Sequence, residues 1–233
     1  MSIKYKSAAG TANRDEVLTR ISIGLQLALK RVFDVALASI ALIAGFPLFM
    51  LIALLVKLSS PGPVFFVQER VGLHGRKFRM IKFRTMLETD DKRPALVWSV
   101  EEEARVTKIG RFLRDYALDE FPEAINVLKG DMSVIGPRPP LPEQADRYSE
   151  RQRKVFQMRP GMLSWAFVNG RRSIPVDQRI EHHIWYVENW SLWLDIQIFF
   201  RGLLVILKRE GVNETIVAQG QAGHADHPPE GEL

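Results

Sequence analysis

Between Arg31 and Lys57 the chain carries no Lys or Arg, and nearly every residue from Val32 to Val56 is apolar. A run of that length reads as a membrane segment rather than as a core helix. As a straight helix it would reach about 37 Å, enough to cross a hydrocarbon core of about 30 Å. Two features argue for a return rather than a crossing. Gly45, Phe46 and Pro47 fall near the middle, where Pro47 cannot donate to the Ile43 carbonyl and its ring crowds that turn. Basic residues also flank both ends: Lys30 and Arg31 before, Lys57 after, with Arg70, Arg76, Lys77 and Arg79 beyond. Cationic flanks favour the cytoplasmic side. A re-entrant helix–break–helix satisfies both ends at once. A spanning helix kinked at Pro47 is the other reading, and the residues alone leave the two open. The stretch does not read as a signal peptide, because about thirty polar residues precede it and no small-residue cleavage site follows. Asp34 has Lys30 and Arg31 at i−4 and i−3, which predicts a local ion pair.

The 233 residues suffice for one domain with a real core, or one domain plus an appendage. There is no cysteine, which excludes disulfides, thiolate metal sites and cysteine nucleophiles. A formal charge of +5 fits an anionic partner, whether nucleic acid, a phosphorylated substrate or a membrane face, and does not choose among them.

Beyond the apolar run the pattern predicts short elements. Residues 1–15 read as a loose tail and 16–31 as a helix feeding the membrane segment. Residues 63–86 read as a β-hairpin about a Gly72–Gly75 turn. Its second arm interleaves five cations with Phe78, Met80, Ile81 and Phe83, as a phosphate-binding or membrane-facing strand would. A charged connector over 88–105 precedes helices over 106–116 and 118–129. The second has Asp119 as its expected N-cap, Pro122 in its first turn and Gly130 at its end. Residues 143–158 read as a helix, 160–170 as strand and loop, and 176–188 as a helix. Residues 191–209 read as an amphipathic helix with Leu192, Ile196, Phe199, Leu203 and Ile206 on one side. Trp185, Trp190 and Trp193 gather around it, and the tail from 213 reads as disordered. The expected fold class is α+β: mostly helical, with a small β-hairpin and interfacial amphipathic helices.

The chemistry concentrates at Asp119 and Glu120. A carboxylate at a helix N-terminus meets unpaired N–H groups and the positive end of the dipole, which favour its ionised form. An ionised Asp can act as a nucleophile through an aspartyl phosphate. Phosphoryl transfer also needs cations on the phosphate oxygens. Arg114, Arg138 in the rigid Gly136-Pro137-Arg138-Pro139 loop, Lys82 and Arg84 are the candidates. A divalent metal suits the same carboxylates. Weaker signals are Asp90-Asp91, which lack the spacing of a DxD metal motif, and His182-His183, which read as a surface pair without a third ligand.

Together these residues resemble the bacterial sugar transferases, and more narrowly the small monotopic phosphoglycosyl transferases that act on polyprenyl phosphate. The matching motifs are Lys30-Arg31-x-Phe33-Asp34, the apolar run with its mid-segment proline, Lys82-Phe83-Arg84-Thr85-Met86, Leu118-Asp119-Glu120, Asn126 to Ser133, Gly136-Pro137-Arg138-Pro139, Arg159-Pro160-Gly161, Val168-Asn169-Gly170-Arg171, and Tyr186 to Ser191. They run in family order from about residue 29 to 212. The resemblance implies transfer of a sugar 1-phosphate from a UDP-sugar donor to an undecaprenyl-type phosphate acceptor, with Mg²⁺, at the cytoplasmic face of the bacterial inner membrane. Asp119 takes the nucleophile's place. It would attack the β-phosphate, release UMP and leave a phosphosugar–aspartyl intermediate for the lipid phosphate to attack. Glu120 assists, on the metal side or in proton handling, with Asp119 the metal ligand and Glu120 a second one. Lys82, Arg84, Arg114, Arg138, Asn169 and Arg171 are the implied substrate- and phosphate-binding residues, and Pro47 marks the membrane break. The implied plan is a tail and lead-in over 1–28, the re-entrant helix over 29–58, a catalytic domain over 59–212 and a tail over 213–233. Membrane lipid is a partner, nucleic acid is not, and a homodimer stays open.

The chain departs from the family pattern at several positions. Phe46 stands where Ser often precedes the proline. Met162-Leu163-Ser164-Trp165-Ala166-Phe167 replaces the usual Ile-Thr-Gly-Trp-Ala-Gln. His183 stands where an Asp is common. Two other readings make different demands. A non-catalytic anchored module binding anionic lipid or nucleic acid does not need Asp119. A one-step nucleotide-sugar transferase releases UDP rather than UMP.

Overall fold

The computed structural model describes residues 14–88, 100–171 and 173–209. The readings placed on the two tails, on Asp90-Asp91 and on most of the charged connector lie outside those residues.

The lead-in and the first half of the apolar run form one helix, α1 (Arg14–Ala44), and the second half forms α2 (Phe46–Ser59). The axes bend by 66° at the break. The break centres on Gly45, with Pro47 in the first turn of α2, where its missing N–H has no helical partner to lose. Gly45 is required by contact as well as by flexibility. A Cβ there would collide with the Phe121 ring and the Ala41 carbonyl. Among the described residues no single helix is long and apolar enough to cross a membrane; the bent pair passes that test together. The side of the pair facing away from the protein is apolar, with Val32, Ile40, Ile43, Phe46, Leu54 and Leu58 all exposed.

The hairpin forms where the Gly72–Gly75 turn predicts. β1 (Phe65–Val71) and β2 (Lys77–Phe83) pair antiparallel, with Phe65 opposite Phe83 and Val71 opposite Lys77. A second, two-stranded parallel sheet joins β3 (Ser133–Ile135) to β4 (Gly161–Leu163). Gly161 and Gly136 meet so closely there that a Cβ on either would strike the other segment's backbone. The remaining helices are α3 (Val100–Ala104), α4 (Lys108–Asp115), α5 (Glu123–Lys129), α6 (Pro142–Ala145), α7 (Trp165–Val168), α8 (Val176–Glu188) and α9 (Leu192–Lys208). The α+β class holds, mostly helical, with two small sheets among the described residues.

One core gathers Ala38 of α1, Val127 of α5, Ile135 of β3, Tyr186 of α8 and Ile198 of α9. Another packs Ile52 and Val56 of α2 on Phe83 of β2 and Leu113 of α4, so the second half of the bent pair is fastened to the hairpin. A buried polar knot ties the first core together. Lys30 donates to Asp195 (2.7 Å) and to the Ile135 carbonyl (2.8 Å). Tyr186 and Trp190 also donate to Asp195, at 2.6 and 3.1 Å.

Five local expectations change. Asp34 forms no salt bridge to Lys30 or Arg31, although the charge of Lys30 still acts on its carboxyl. It accepts from the Ser133 hydroxyl and the Val134 amide, both at 2.9 Å, and so caps β3. Arg31 goes to the Val127 and Leu128 carbonyls at the end of α5. The 143–158 stretch is not one helix. Ser149 and Gln152 exchange side-chain and backbone hydrogen bonds, a capping pair that restarts the chain as a 3-10 segment over Gln152–Gln157. Residues 160–170 hold β4 and also the short helix α7, capped by Ser164. The buried face of α9 is Leu194, Ile198, Gly202 and Val205, whereas Ile196 and Leu203 are exposed. That helix is apolar almost all round, so periodicity does not single out its core face. The tryptophans separate as well. Trp185 stacks on Trp165 at 4.9 Å, Trp190 joins Asp195, and Trp193 is exposed.

Candidate active site

Asp119 and Glu120 lie in a 3-10 turn, Leu118–Glu120, and not at a helix start. The residue before it, Ala117, holds a left-handed φ of 53°, a conformation that costs a non-glycine residue energy and often marks a functional turn. Tight i+3 bonds carry the chain from Ala117 through Phe121 into α5, whose N-cap is Pro122. The expected N-cap role of Asp119 is therefore corrected. Pro122 cannot donate an amide, so the helical ladder starts behind it and leaves Asp119 one turn ahead.

The turn is held against the hairpin by Asn126, which is fully buried. Its side-chain oxygen accepts from the Ile81 amide (3.1 Å) and its amide donates to the Arg79 carbonyl (2.7 Å). Asn126 thus pairs with the β2 backbone as a neighbouring strand would, and this sets Lys82 over the acidic turn. Lys82 meets Glu120 at 2.6 Å and Glu123 at 3.1 Å. Arg138 reaches the same Glu120 oxygen with two guanidinium nitrogens, each at 3.1 Å.

This arrangement separates the carboxylates. Burial would raise Glu120, but Lys82 and Arg138 outweigh it and hold its carboxyl well below the usual range. Burial pushes Glu123 up to about 7, despite the same lysine. Lys82 would be pulled down by burial, but Glu120 and Glu123 reverse that and raise it. Glu120 raises Arg138 against the opposing effect of burial. Asp119 adds to the field at both Lys82 and Arg138. Glu120 is thus a fixed anion already engaged by two cations.

A groove of about 1390 Å³ runs over this turn. It brings together Asp119, Glu120, Lys82, Arg114, Arg138 and Arg171. Two other expected residues are placed differently. Arg84 edges the groove, but its guanidinium donates to the carbonyls of Pro61 and Ser60 (2.8 Å to Ser60). It terminates α2. Asn169 lies outside the groove lining and donates to the Trp165 carbonyl at 2.7 Å. Arg171, with a left-handed φ of 51°, binds the Arg114 and Asp115 carbonyls at 2.8 and 3.1 Å. It braces the end of α4 ahead of the reactive turn. Glu123, Arg70 of β1 and Arg179 and His183 of α8 were not in the sequence-derived set. Glu123 is buried beneath the groove, and the other three line it. Glu123 was within reach of spacing, at i+3 from Glu120. His183 was expected as a surface residue but is buried.

Magnesium is commonly held by one or two carboxylates, with water and substrate phosphates completing the shell. Asp119 beside Glu120 fits that mode. Among the described residues no group of three His, Asp or Glu forms an all-protein cage. One Glu120 oxygen is committed to Lys82 and Arg138.

An acidic turn under a cation-lined groove, carried beside a bent apolar helix pair, is the arrangement in which the family match falls. The model of the family described as "Bacterial sugar transferase" matches residues 25–209, and the chain belongs to that family. It is 38% identical over 200 residues to "Uncharacterized sugar transferase EpsL" of Bacillus subtilis, covering 85% of this chain and 98% of that protein. It is 43% identical over 177 residues to the "UDP-glucose:undecaprenyl-phosphate glucose-1-phosphate transferase" of Xanthomonas campestris, covering 72% of this chain and 37% of that one. Against the "Exopolysaccharide production protein ExoY" of Sinorhizobium fredii it is 35% identical over 196 residues, covering 78% of this chain and 87% of the relative. The chain thus spans nearly the whole of the first and third relatives and well under half of the Xanthomonas protein.

Proposed function

We propose that the chain is a phosphoglycosyl transferase that moves a sugar 1-phosphate from a UDP-sugar to undecaprenyl phosphate, as the first membrane step of bacterial glycoconjugate synthesis such as exopolysaccharide. The observation that carries this is the acidic turn itself: Asp119 stands beside Glu120, which Lys82 and Arg138 bind at 2.6 and 3.1 Å on the floor of a cation-lined groove. The names of the relatives support the donor and acceptor classes.

In this mechanism the donor diphosphate lies along Arg138 and the neighbouring guanidinium groups, which offset its charge. An Asp119 carboxylate oxygen attacks the β-phosphorus. The bond from that phosphorus to the oxygen bridging to the α-phosphate breaks, and UMP leaves with the electron pair. The sugar phosphate remains on Asp119 as a mixed carboxylic–phosphoric anhydride. The undecaprenyl phosphate oxygen then attacks the same phosphorus, releasing the lipid diphosphate sugar and restoring the Asp119 carboxylate. Glu120, fixed as an anion, holds Lys82 and Arg138 at the groove floor, so the cations are in place before substrate arrives. A Mg²⁺ held by Asp119 and the diphosphate would neutralise charge that builds on the leaving nucleotide.

The bent pair α1–α2 enters the cytoplasmic leaflet of the inner membrane and returns. The 66° bend and the apolar outward residues support this, as do the basic flanks at both ends. The acceptor then arrives from the bilayer beside the groove.

The test is nucleotide identity. Wild type in nanodiscs, given undecaprenyl phosphate, Mg²⁺ and a panel of UDP-sugars, is expected to release UMP with at least one donor. Asp119→Asn is expected to release none. Release of UDP in place of UMP would assign a one-step transferase.

A further inference from the structure

His183 is a groove residue that the mechanism does not use. It lies on α8 and is 7% exposed. Its Nδ1 is buried with no hydrogen-bond partner among the described residues. Buried polar atoms in folded proteins are almost always satisfied, so such an atom asks for a partner from a bound molecule. The surroundings say what kind. Burial, Arg138 and Arg179 one turn back on the same helix hold the imidazole down to about 3, so it is neutral at physiological pH. His183 is thus an uncharged hydrogen-bonding group beside the guanidinium that holds the reacting phosphate. In a UDP-sugar the β-phosphate bears the sugar directly, whereas uridine lies beyond the α-phosphate. The uncharged part of the donor nearest Arg138 is therefore the sugar.

We propose that His183 is a specificity residue whose Nδ1 hydrogen-bonds a hydroxyl or acylamino group of the donor sugar, next to the phosphate held at Arg138. This rests on the groove being the UDP-sugar site. Losing a partner for a polar group that a site was built to bind discriminates strongly between sugars.

The experiment compares wild type, His183→Asn and His183→Phe as full chains in nanodiscs. Asn keeps a polar atom near the position of Nδ1; Phe fills the space without one, and His183→Leu serves where Phe does not fold. Calorimetric titration measures UDP and each UDP-sugar, with UMP release recorded alongside. For the preferred donor, His183→Phe is expected to weaken UDP-sugar binding and raise KM by about tenfold, the scale of one hydrogen bond. UDP affinity should stay within about twofold, and His183→Asn should lie near wild type. Equal weakening toward UDP and UDP-sugar would place His183 on the diphosphate and overturn the proposal. No change toward either ligand would make it a packing residue, again overturning it. In both cases UMP release by wild type would leave the transferase reading standing. A wild type that neither binds a UDP-sugar nor releases UMP would sink both.

Discussion

At Lys82 a single ammonium faces two carboxylates, and that asymmetry yields two predictions. Lys82, Glu120 and Glu123 expose 11%, 12% and 3% of their side chains. Lys82→Met would leave Glu120 buried with Arg138 as its remaining cation. Breaking a buried pair from one side costs about 3–5 kcal/mol, so we expect a lower Tm together with loss of UMP release. The second prediction concerns pH. Glu123 has its carboxyl raised from 4.5 to about 7, so the folded state holds a proton that the unfolded chain has released. Its contribution to stability is therefore present at low pH and is lost as pH rises from about 4.5 through 7. Glu123→Gln removes that loss. The difference in Tm between Glu123→Gln and wild type should grow in favour of the variant from pH 5 to pH 8; a difference independent of pH would contradict the assignment. Asp119 and Glu120 were legible in the sequence because a paired acidic motif and a Pro-Arg-Pro loop are local patterns. Glu123 was within reach of its i+3 spacing from Glu120, but its raised carboxyl comes from burial, and His183 was not legible because its place in the groove comes from burial.

Among the elements, β2 and α5 set the site, and the link between them is Asn126. Its two backbone partners on β2 would be left unpaired by Asn126→Ala, and each unsatisfied buried group costs about 1–3 kcal/mol. A fall in stability of about 2–6 kcal/mol is expected, with a larger fall in kcat than in donor affinity because Lys82 loses its position over Glu120. Arg84 makes the contrasting case. The sequence assigned it to phosphate, since it sits two residues from Lys82 on the same basic arm. The structure spends its guanidinium on the carbonyls that end α2. Arg84→Ala should therefore lower Tm while leaving donor KM within about twofold of wild type; a rise in KM with unchanged stability would restore it to the phosphate site. The hairpin, α8 and the extent of α9 were legible, the hairpin from its turn glycines and α9 from its apolar patterning. The break at 149–152 and the 3-10 turn at Asp119 did not, because side-chain to backbone exchanges and one proline decided them. The core face of α9 was hidden by a helix with apolar residues nearly all round.

For the whole molecule the question is how an apolar bent pair and a cationic groove share one chain. α2 packs through Ile52 and Val56 on Phe83 and Leu113, and Phe121, next to Glu120, fills the space that Gly45 leaves open. The break and the acidic turn are thus in contact. The sequence showed the apolar run and its proline, but returning and crossing stayed open because both satisfy length. The absence of cysteine makes the topology directly measurable. Single cysteines at Ser22 and at Ser59 should both react with an impermeant thiol reagent from the same side of inverted vesicles, and reaction from opposite sides would establish a crossing. The central claim is that sugar phosphate is carried on Asp119. It is tested most directly by incubating the protein with radiolabelled UMP and unlabelled UDP-sugar, in Mg²⁺ and with no lipid acceptor. The account predicts label entering UDP-sugar with wild type and none with Asp119→Asn. No exchange by a wild type that still makes lipid-linked sugar phosphate when acceptor is added would contradict it.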